Sequence, residues 1–133
     1  MGEPARPDVL RYSVQLPSTP HSAAAARALA RAWCHSAGDG RDGTALELLL
    51  SEAVTNAVRH AATSPRDLIT VDVVLTTDAT EASVSDHGPT FHPATPAPVD
   101  GQTSGFGLYI IAELSRTWAV ERHASGNRIT FTV

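Results

Sequence analysis

The chain has 133 residues, of which 42% are hydrophobic, and its formal net charge at pH 7 is −4. This length predicts one domain that can bury a core of its own. The acidic balance gives no basic footprint for nucleic acid, and no apolar run approaches the roughly 20 residues that a membrane span needs. The single cysteine, Cys34, excludes an internal disulfide and reads as a small buried residue. We therefore expect a cytoplasmic protein that contacts neither nucleic acid nor membrane.

All ten residues of the Lys and Arg class are arginine, so the chain contains no lysine. This absence excludes a phosphate loop of the Walker type, whose lysine reaches the β- and γ-phosphates. It also excludes chemistry that forms a Schiff base on a lysine. A phosphate site in this chain therefore cannot use a lysine.

The pattern of apolar and turn residues predicts a flexible segment at 1–8, followed by one domain at 9–133. In chain order, the predicted elements are a strand at 9–16, helices at 20–35 and 46–61, strands at 69–76 and 81–86, a helix at 107–114, and strands at 117–123 and 128–133. A hairpin turn is predicted at 125–127. These elements indicate an α/β two-layer sandwich, with a mostly antiparallel sheet and helices on one face. On the first helix, Arg27 and Arg31 are expected on a solvated face and Trp33 in the core, with a partner-binding surface as the alternative.

The second helix has the clearest periodicity. Its apolar residues follow the i, i+3, i+4, i+7 spacing of an amphipathic helix: Leu46, Leu49, Leu50, Ala53, Val54, Ala57, Val58 and Ala61. Glu52, Asn56 and Arg59 fall outside this stripe, and His60 lies on its flank. Glu52 and Asn56 are i, i+4 neighbours and so share a helix face. An Asn carbonyl oxygen suits Mg²⁺ and a Glu carboxylate can accept a proton. For this pair alone, a solvated polar face is the simpler interpretation.

The strand at 81–86 places Asp86 on the same side as Ala82 and Val84, because side chains alternate with period two. Asp86 is therefore expected to face the interior, where a carboxylate needs a polar partner. It could accept a hydrogen bond from an exocyclic amine such as that of adenine, and Gly88 would let a flat ring approach the backbone. The alternative is an ordinary Asp-x-Gly turn.

Residues 87–104 hold four prolines and show no periodicity, which in a compact domain is more typical of a functional loop than of a plain connection. After this loop, Gly105 and Gly107 open a helix, where backbone N–H groups and the helix dipole favour anions. No third glycine follows, so this is not a dinucleotide fingerprint.

Taken together, Glu52-x-x-x-Asn56, Asp86-x-Gly88, the 89–104 segment and Gly105-x-Gly107 resemble the ATP-binding domain of the GHKL, or histidine-kinase-like, ATPase superfamily. Within it, Ser51–Ala61 and Ser104–Ile111 are most similar to the bacterial anti-sigma-factor serine/threonine-protein kinases. The resemblance runs from the first strand to the last and implies the Bergerat ATP-binding fold.

The resemblance also implies roles for individual residues. Asn56 would coordinate the Mg²⁺ that bridges the phosphates of ATP, and Glu52 would be the general base towards a protein serine. Asp86 would take the adenine amine, with Gly88 beneath the ring. The implied backbone contacts to the phosphates come from Gly105, Phe106, Gly107 and Leu108. Two further nucleotide contacts are considered, one from His60 and one from Asn127, which sits where relatives often place a threonine.

Two departures from the family pattern bear on catalysis. The family usually has a second glycine two residues after the first, and here that position is Thr90; residues 87–104 also contain no Arg or Lys. Phosphoryl transfer needs charge to be neutralised on the phosphate oxygens. The resemblance implies a kinase that phosphorylates a serine of an anti-sigma antagonist, binds a sigma factor and can form a homodimer. The alternative is a non-catalytic, nucleotide-responsive protein-binding module of the same fold.

Overall fold

The computed structural model describes residues 8–61, 67–87, 106–123 and 126–133. These residues form, in chain order, β1 (Val9–Pro17), α1 (His21–Ala37), α2 (Thr44–Ala61), β2 (Leu68–Thr76), β3 (Thr80–Asp86), α3 (Phe106–Leu114), β4 (Thr117–His123) and β5 (Gly126–Thr132). The predicted segment at 1–8 lies outside the described residues except for Asp8. Every predicted helix and strand is present, with ends that differ by at most two residues.

The five strands form one sheet in the order β1-β2-β3-β5-β4, and all neighbouring strands run antiparallel. The core lies on the sheet face that the helices cover: α1 packs against β1 and β2, α2 against β3, and α3 against α2 and β4. The buried residues of this face are Leu16, Ile69, Val71, Val73, Leu75, Ala82, Val84, Ile129 and Phe131. The prediction of a two-layer α/β sandwich is therefore confirmed.

The ends of α1 and α2 follow from local chemistry. Gly38 ends α1 in the left-handed region, at a φ of 69°, and its N–H bonds the carbonyl of His35. Asp42 Oδ1 then accepts the backbone N–H of Thr44, the first residue of α2, at 2.9 Å. The Thr44 hydroxyl donates to the same oxygen at 2.6 Å, and the two hydrogen bonds lower the pKa of Asp42.

Two arginines of α1 join it to α2. Arg27 Nη1 donates to Ser51 Oγ at 2.7 Å, and Arg31 Nη2 lies 2.9 Å from Glu47 Oε1 with three quarters of its side chain exposed. Trp33 is half-buried and stacks on Tyr12, with ring centroids 5.1 Å apart. Cys34 is 5% exposed, as predicted for a small core residue.

The hairpin turn predicted at 125–127 is wrong for two of its three residues. Gly126 pairs with His123, and Asn127 pairs with Arg122, so both glycine and asparagine belong to β5. Gly126 has a φ of 150°, and a Cβ there would overlap the carbonyl oxygen of Asp86. The glycine is thus needed for close contact between two strands rather than for a turn. The sequence alone does not distinguish these two reasons for a glycine.

Candidate nucleotide-binding site

The topology collects the predicted motifs at one end of the sheet. Asp86 is the last residue of β3, and α2 leads towards the first residues of β2, whose Thr70 pairs with Ser85. The C-terminal end of α2 and the end of β3 are therefore on the same side. Helix α3 leads into β4 at Thr117, which pairs with Thr132 at the opposite end of the sheet. The N-terminus of α3 consequently lies back towards Asp86.

Asn56 is buried, with 5% of its surface exposed, although it falls outside the apolar stripe of α2. The simpler expectation of a solvated polar face is therefore wrong for this residue. Its Nδ2 has no hydrogen-bond partner within the described part of the chain. A buried amide left without a partner costs about 1–3 kcal/mol, so such groups are rare unless something else satisfies them.

Glu52 is half-buried and lies one turn before Asn56 on α2. The i, i+4 spacing brings the carboxylate and the amide to one face of the helix, as the sequence predicts. Helix α2 contacts both β3 and α3. The pair thus stands on the element that lies between the strand carrying Asp86 and the helix opened by the Gly-x-Gly motif.

Asp86 is 7% exposed and continues the buried side of β3 beyond Ala82 and Val84, which confirms the predicted inward direction. Asn127 lies directly opposite on β5, and its Nδ2 donates to Asp86 Oδ1 at 3.1 Å. An amide facing a carboxylate must present its NH₂ group, because an ionised carboxylate only accepts hydrogen bonds. Asn127 is thus brought to the predicted site, where it contacts Asp86.

The backbone of Phe106, Gly107 and Leu108 forms the first turn of α3, as the motif predicts. The first N–H groups of a helix have no partner inside it and point out from its end, a common place for phosphate. Gly88 and Gly105 lie outside the described residues, and so do the side chains of His60, Phe106 and Leu108. Thr90 and the 89–104 segment also lie outside them.

The register reveals one cation that the sequence analysis did not consider. Arg122 on β4 pairs with Asn127, which pairs with Asp86, so the three residues form one row across three strands. Two strand spacings separate Arg122 from Asp86, about 10 Å between backbones. Period-two alternation along β5 places Asn127 on the same face as the buried Phe131 and Ile129. Residues directly opposite on antiparallel strands share a face, so Arg122 follows once the β4–β5 register is known.

The oxygen donors of Asn56 and Glu52 suit an Mg²⁺ ion that is shared with a nucleotide, rather than a metal ion that protein ligands alone would hold. No group of three or more His, Cys, Asp or Glu residues that could hold a metal occurs in the ranges that the structure describes. Mg²⁺ usually keeps several waters and binds through one or two protein oxygens plus the phosphates of its nucleotide. An Asn56 carbonyl oxygen beside the Glu52 carboxylate is a donor set of this kind.

Residues 16–133 match the sequence model of the histidine kinase-like ATPase domain. The chain belongs to this family. The resemblance inferred from the three motifs is thereby confirmed, and domains of this family bind ATP, typically with Mg²⁺. No curated protein matches the chain.

Two solved structures are similar to this histidine kinase-like domain. The first is the crystal structure of the RsbU and RsbW domains of Rv1364c from Mycobacterium tuberculosis, with a TM-score of 0.70 and 25% identity over 92% of this chain. The second is the histidine kinase domain of the EL346 blue-light activated histidine kinase from Erythrobacter litoralis, with a TM-score of 0.52 and 20% identity over 88% of this chain. The second likeness concerns the fold alone. The chain spans 32% of the first structure and 60% of the second.

None of the helices in the described ranges is long and apolar enough to cross a membrane.

Proposed function

We propose that this domain binds ATP with Mg²⁺ at the Asp86 end of the sheet and phosphorylates a serine of an anti-sigma antagonist protein. It would also bind a sigma factor, as an anti-sigma-factor-type regulator does. The observation that carries the nucleotide part is the buried amide of Asn56, whose Nδ2 has no partner among the described residues. A phosphate oxygen would accept from that amide while its carbonyl oxygen held the metal.

The proposed transfer assigns one role to each group. Glu52 accepts the proton of the serine hydroxyl as the serine oxygen forms its bond to the γ-phosphorus, and ADP leaves as the bond to the β,γ-bridging oxygen breaks. Mg²⁺, held by Asn56, would neutralise charge on the phosphate oxygens. The backbone N–H groups at the start of α3 would add fixed donors on the phosphates. Asp86 would accept the adenine amine.

The choice of a protein serine as the acceptor rests on two supports. One is the similarity of Ser51–Ala61 and Ser104–Ile111 to the anti-sigma-factor kinases. The other is the likeness to a solved structure that contains an RsbW domain, at 25% identity. Because this chain spans about a third of that structure, both the antagonist and the sigma factor are proposals for this chain.

The kinase proposal is tested with γ-labelled ATP, Mg²⁺ and a panel of purified candidate antagonist proteins. We expect the wild-type chain to transfer label to a serine of one antagonist. Glu52→Gln should lower the initial rate by about 100-fold, the usual scale for a general base, while the Kd for Mg·ADP stays within about twofold. Glu47→Gln, on the same helix but paired with Arg31, is the matched control and should keep the rate. Normal ATP binding without label transfer by the wild type would refute the kinase assignment.

A second candidate is a non-catalytic module in which ATP only sets the affinity for a protein partner. The absence of Arg and Lys from residues 87–104 favours it, because a cation on the γ-phosphate is a usual requirement of fast transfer. The two candidates differ in their dependence on Glu52. In the non-catalytic module, Glu52→Gln would leave the ATP-dependent change in partner affinity intact, whereas in the kinase it would abolish the output that phosphorylation produces.

A further inference from the structure

The contact between Asn127 and Asp86 is a buried polar pair in the sheet. Asn127 is 2% exposed and Asp86 is 7% exposed, and the donated hydrogen bond of 3.1 Å joins β5 to the last residue of β3. Both residues lie at the end of the sheet where the nucleotide site is proposed.

The backbone around this pair fixes its geometry. Asp86 and Asn127 are directly opposite each other in the antiparallel register, and Gly126 precedes Asn127 at the closest approach of the two strands. A side chain at Gly126 would overlap the carbonyl oxygen of Asp86, so this approach requires glycine. The amide of Asn127 is consequently held beside one carboxylate oxygen by two paired strands rather than by a loop.

We propose that Asn127 is a positioning residue that sets the base specificity of the site by fixing the rotation of the Asp86 carboxylate. This inference rests on the proposed nucleotide site and deepens it. A carboxylate oxygen accepts hydrogen bonds and cannot donate them while it is ionised. Held in one rotation, it selects a base that offers an amine at the matching position, such as adenine, and rejects one that offers a carbonyl there, such as hypoxanthine.

The role differs from a direct contact with the base. A residue that touches the ligand contributes its own hydrogen bond, whereas Asn127 acts through the orientation of its neighbour. A side chain that is already held in its binding geometry gives tighter binding, because no conformational entropy is lost in ordering it when the ligand arrives. Loss of the Asn127 donor would therefore weaken recognition of the amine selectively, while contacts to the ribose and the phosphates would remain.

The test compares Mg·ADP with Mg·IDP by calorimetric titration, since the two nucleotides differ only at the base. The wild-type chain should prefer ADP by at least about tenfold, because a site built around a hydrogen bond rejects a ligand that lacks its partner. Asn127→Leu, which keeps the volume and removes the donor, should weaken ADP about tenfold and change the Kd for IDP by less than about threefold. Thr130→Val, on the same strand, is the control and should leave both values unchanged.

A purely structural role would lower both affinities by the same factor, and that result, or an unchanged preference for ADP, would overturn the inference. Circular dichroism establishes whether each variant folds. If Asn127→Leu does not fold, Asn127→Ala is judged by the same ratio, because alanine carries no hydrogen-bond donor. Failure of the wild-type chain to bind either nucleotide would instead remove the proposed function, together with the inference that rests on it.

Discussion

The two ends of the sheet use polar side chains in opposite ways. At the end where β2 turns into β3, Arg41 donates from Nη2 to the carbonyl of Thr76 at 2.6 Å, and from Nη1 to the carbonyl of Ala79 at 3.3 Å and Thr80 Oγ1 at 3.2 Å. Its guanidinium also pairs with Asp39 at 2.6 Å. Protein groups thus engage this arginine on several sides, and it fastens the loop between α1 and α2 to the β2–β3 hairpin.

At the opposite end, the structure buries an amide that has no partner among the residues it describes. Asn56 Nδ2 has none among the described residues, although it is shielded from water. Asp86, the last residue of β3 at this end, accepts a hydrogen bond from Asn127 Nδ2. The comparison separates two uses of polarity: groups that are bonded within the protein hold the fold together, and a buried group that is not bonded there indicates where a ligand binds.

The largest effect is expected from removing the Asp86 carboxylate at the nucleotide-site end of the sheet. Asp86→Ala removes the carboxylate that we propose as the acceptor for the base, and it should weaken Mg·ADP by about 100-fold, which is about 2.7 kcal/mol. Calorimetric titration measures the change. Glu81→Ala, at an exposed position of the same strand, is the matched control and should leave the Kd unchanged. An Asp86→Ala chain that binds as well as the wild type would show that the carboxylate does not contact the nucleotide.

A smaller effect is expected from breaking the opposite end at Arg41. Arg41→Ala removes hydrogen bonds to two carbonyls and a hydroxyl and should lower the free energy of unfolding by about 2 kcal/mol. The Kd for Mg·ADP should stay within about twofold. Urea denaturation gives the stability. Arg41→Lys keeps the positive charge but lacks the planar set of guanidinium donors, so it should recover less than half of the lost free energy of unfolding. Equal losses of stability and affinity would mean that the two ends are not separable.

Asn56→Leu should act on stability in the other direction. The leucine has a similar size and removes a buried amide whose Nδ2 has no partner in the described ranges. We therefore expect the free energy of unfolding without nucleotide to rise by about 1 kcal/mol. The same change should abolish the Mg²⁺-dependent part of ATP binding. Thermal unfolding with and without Mg·ATP measures both. Thr55→Val, one position earlier on α2, controls for a general effect of adding apolar surface. A destabilised Asn56→Leu chain would indicate that the amide is satisfied within the protein.

The smallest effect concerns acid stability at the Arg41 end. Hydrogen bonds from Arg41 lower the pKa of Asp39 to about 2. A lowered carboxyl pKa stabilises the fold above the unfolded-state value of about 3.9, and this stabilisation is lost as the pH falls towards 2. The wild type should therefore exceed Asp39→Asn in stability by a constant amount from pH 7 to 5, and the difference should shrink below pH 4. Urea midpoints at a series of pH values test this; a difference that does not depend on pH would contradict it.

The sequence predicts the regular elements well because their signals are local. Period-two alternation places Asp86 on the buried side of β3, and the apolar stripe of α2 is buried from Leu46 to Ala57. The burial of Asn56 could not be predicted in the same way, since it depends on which neighbour covers the edge of the stripe. The Arg41 network also escapes prediction, because its acceptors are backbone carbonyls more than 30 residues away along the chain.

The β4–β5 connection shows the same limit on a smaller scale. Ser125-Gly126-Asn127 is a typical turn sequence, yet Gly126 and Asn127 are paired in the strand. The register, which no local pattern determines, places Asn127 opposite Asp86 and Arg122 beside it. Positions in the site that depend on pairing between distant strands therefore become visible only in the structure.

The most direct test of the central claim is a calorimetric titration of the wild-type chain with Mg·ATP, repeated with ATP in excess EDTA. We expect saturable heat with one nucleotide per chain, and a clear loss of affinity when Mg²⁺ is removed. Absence of heat at millimolar nucleotide would contradict the assignment of Asn56 and Asp86 to a nucleotide site, and equal affinity with and without Mg²⁺ would contradict the role of Asn56.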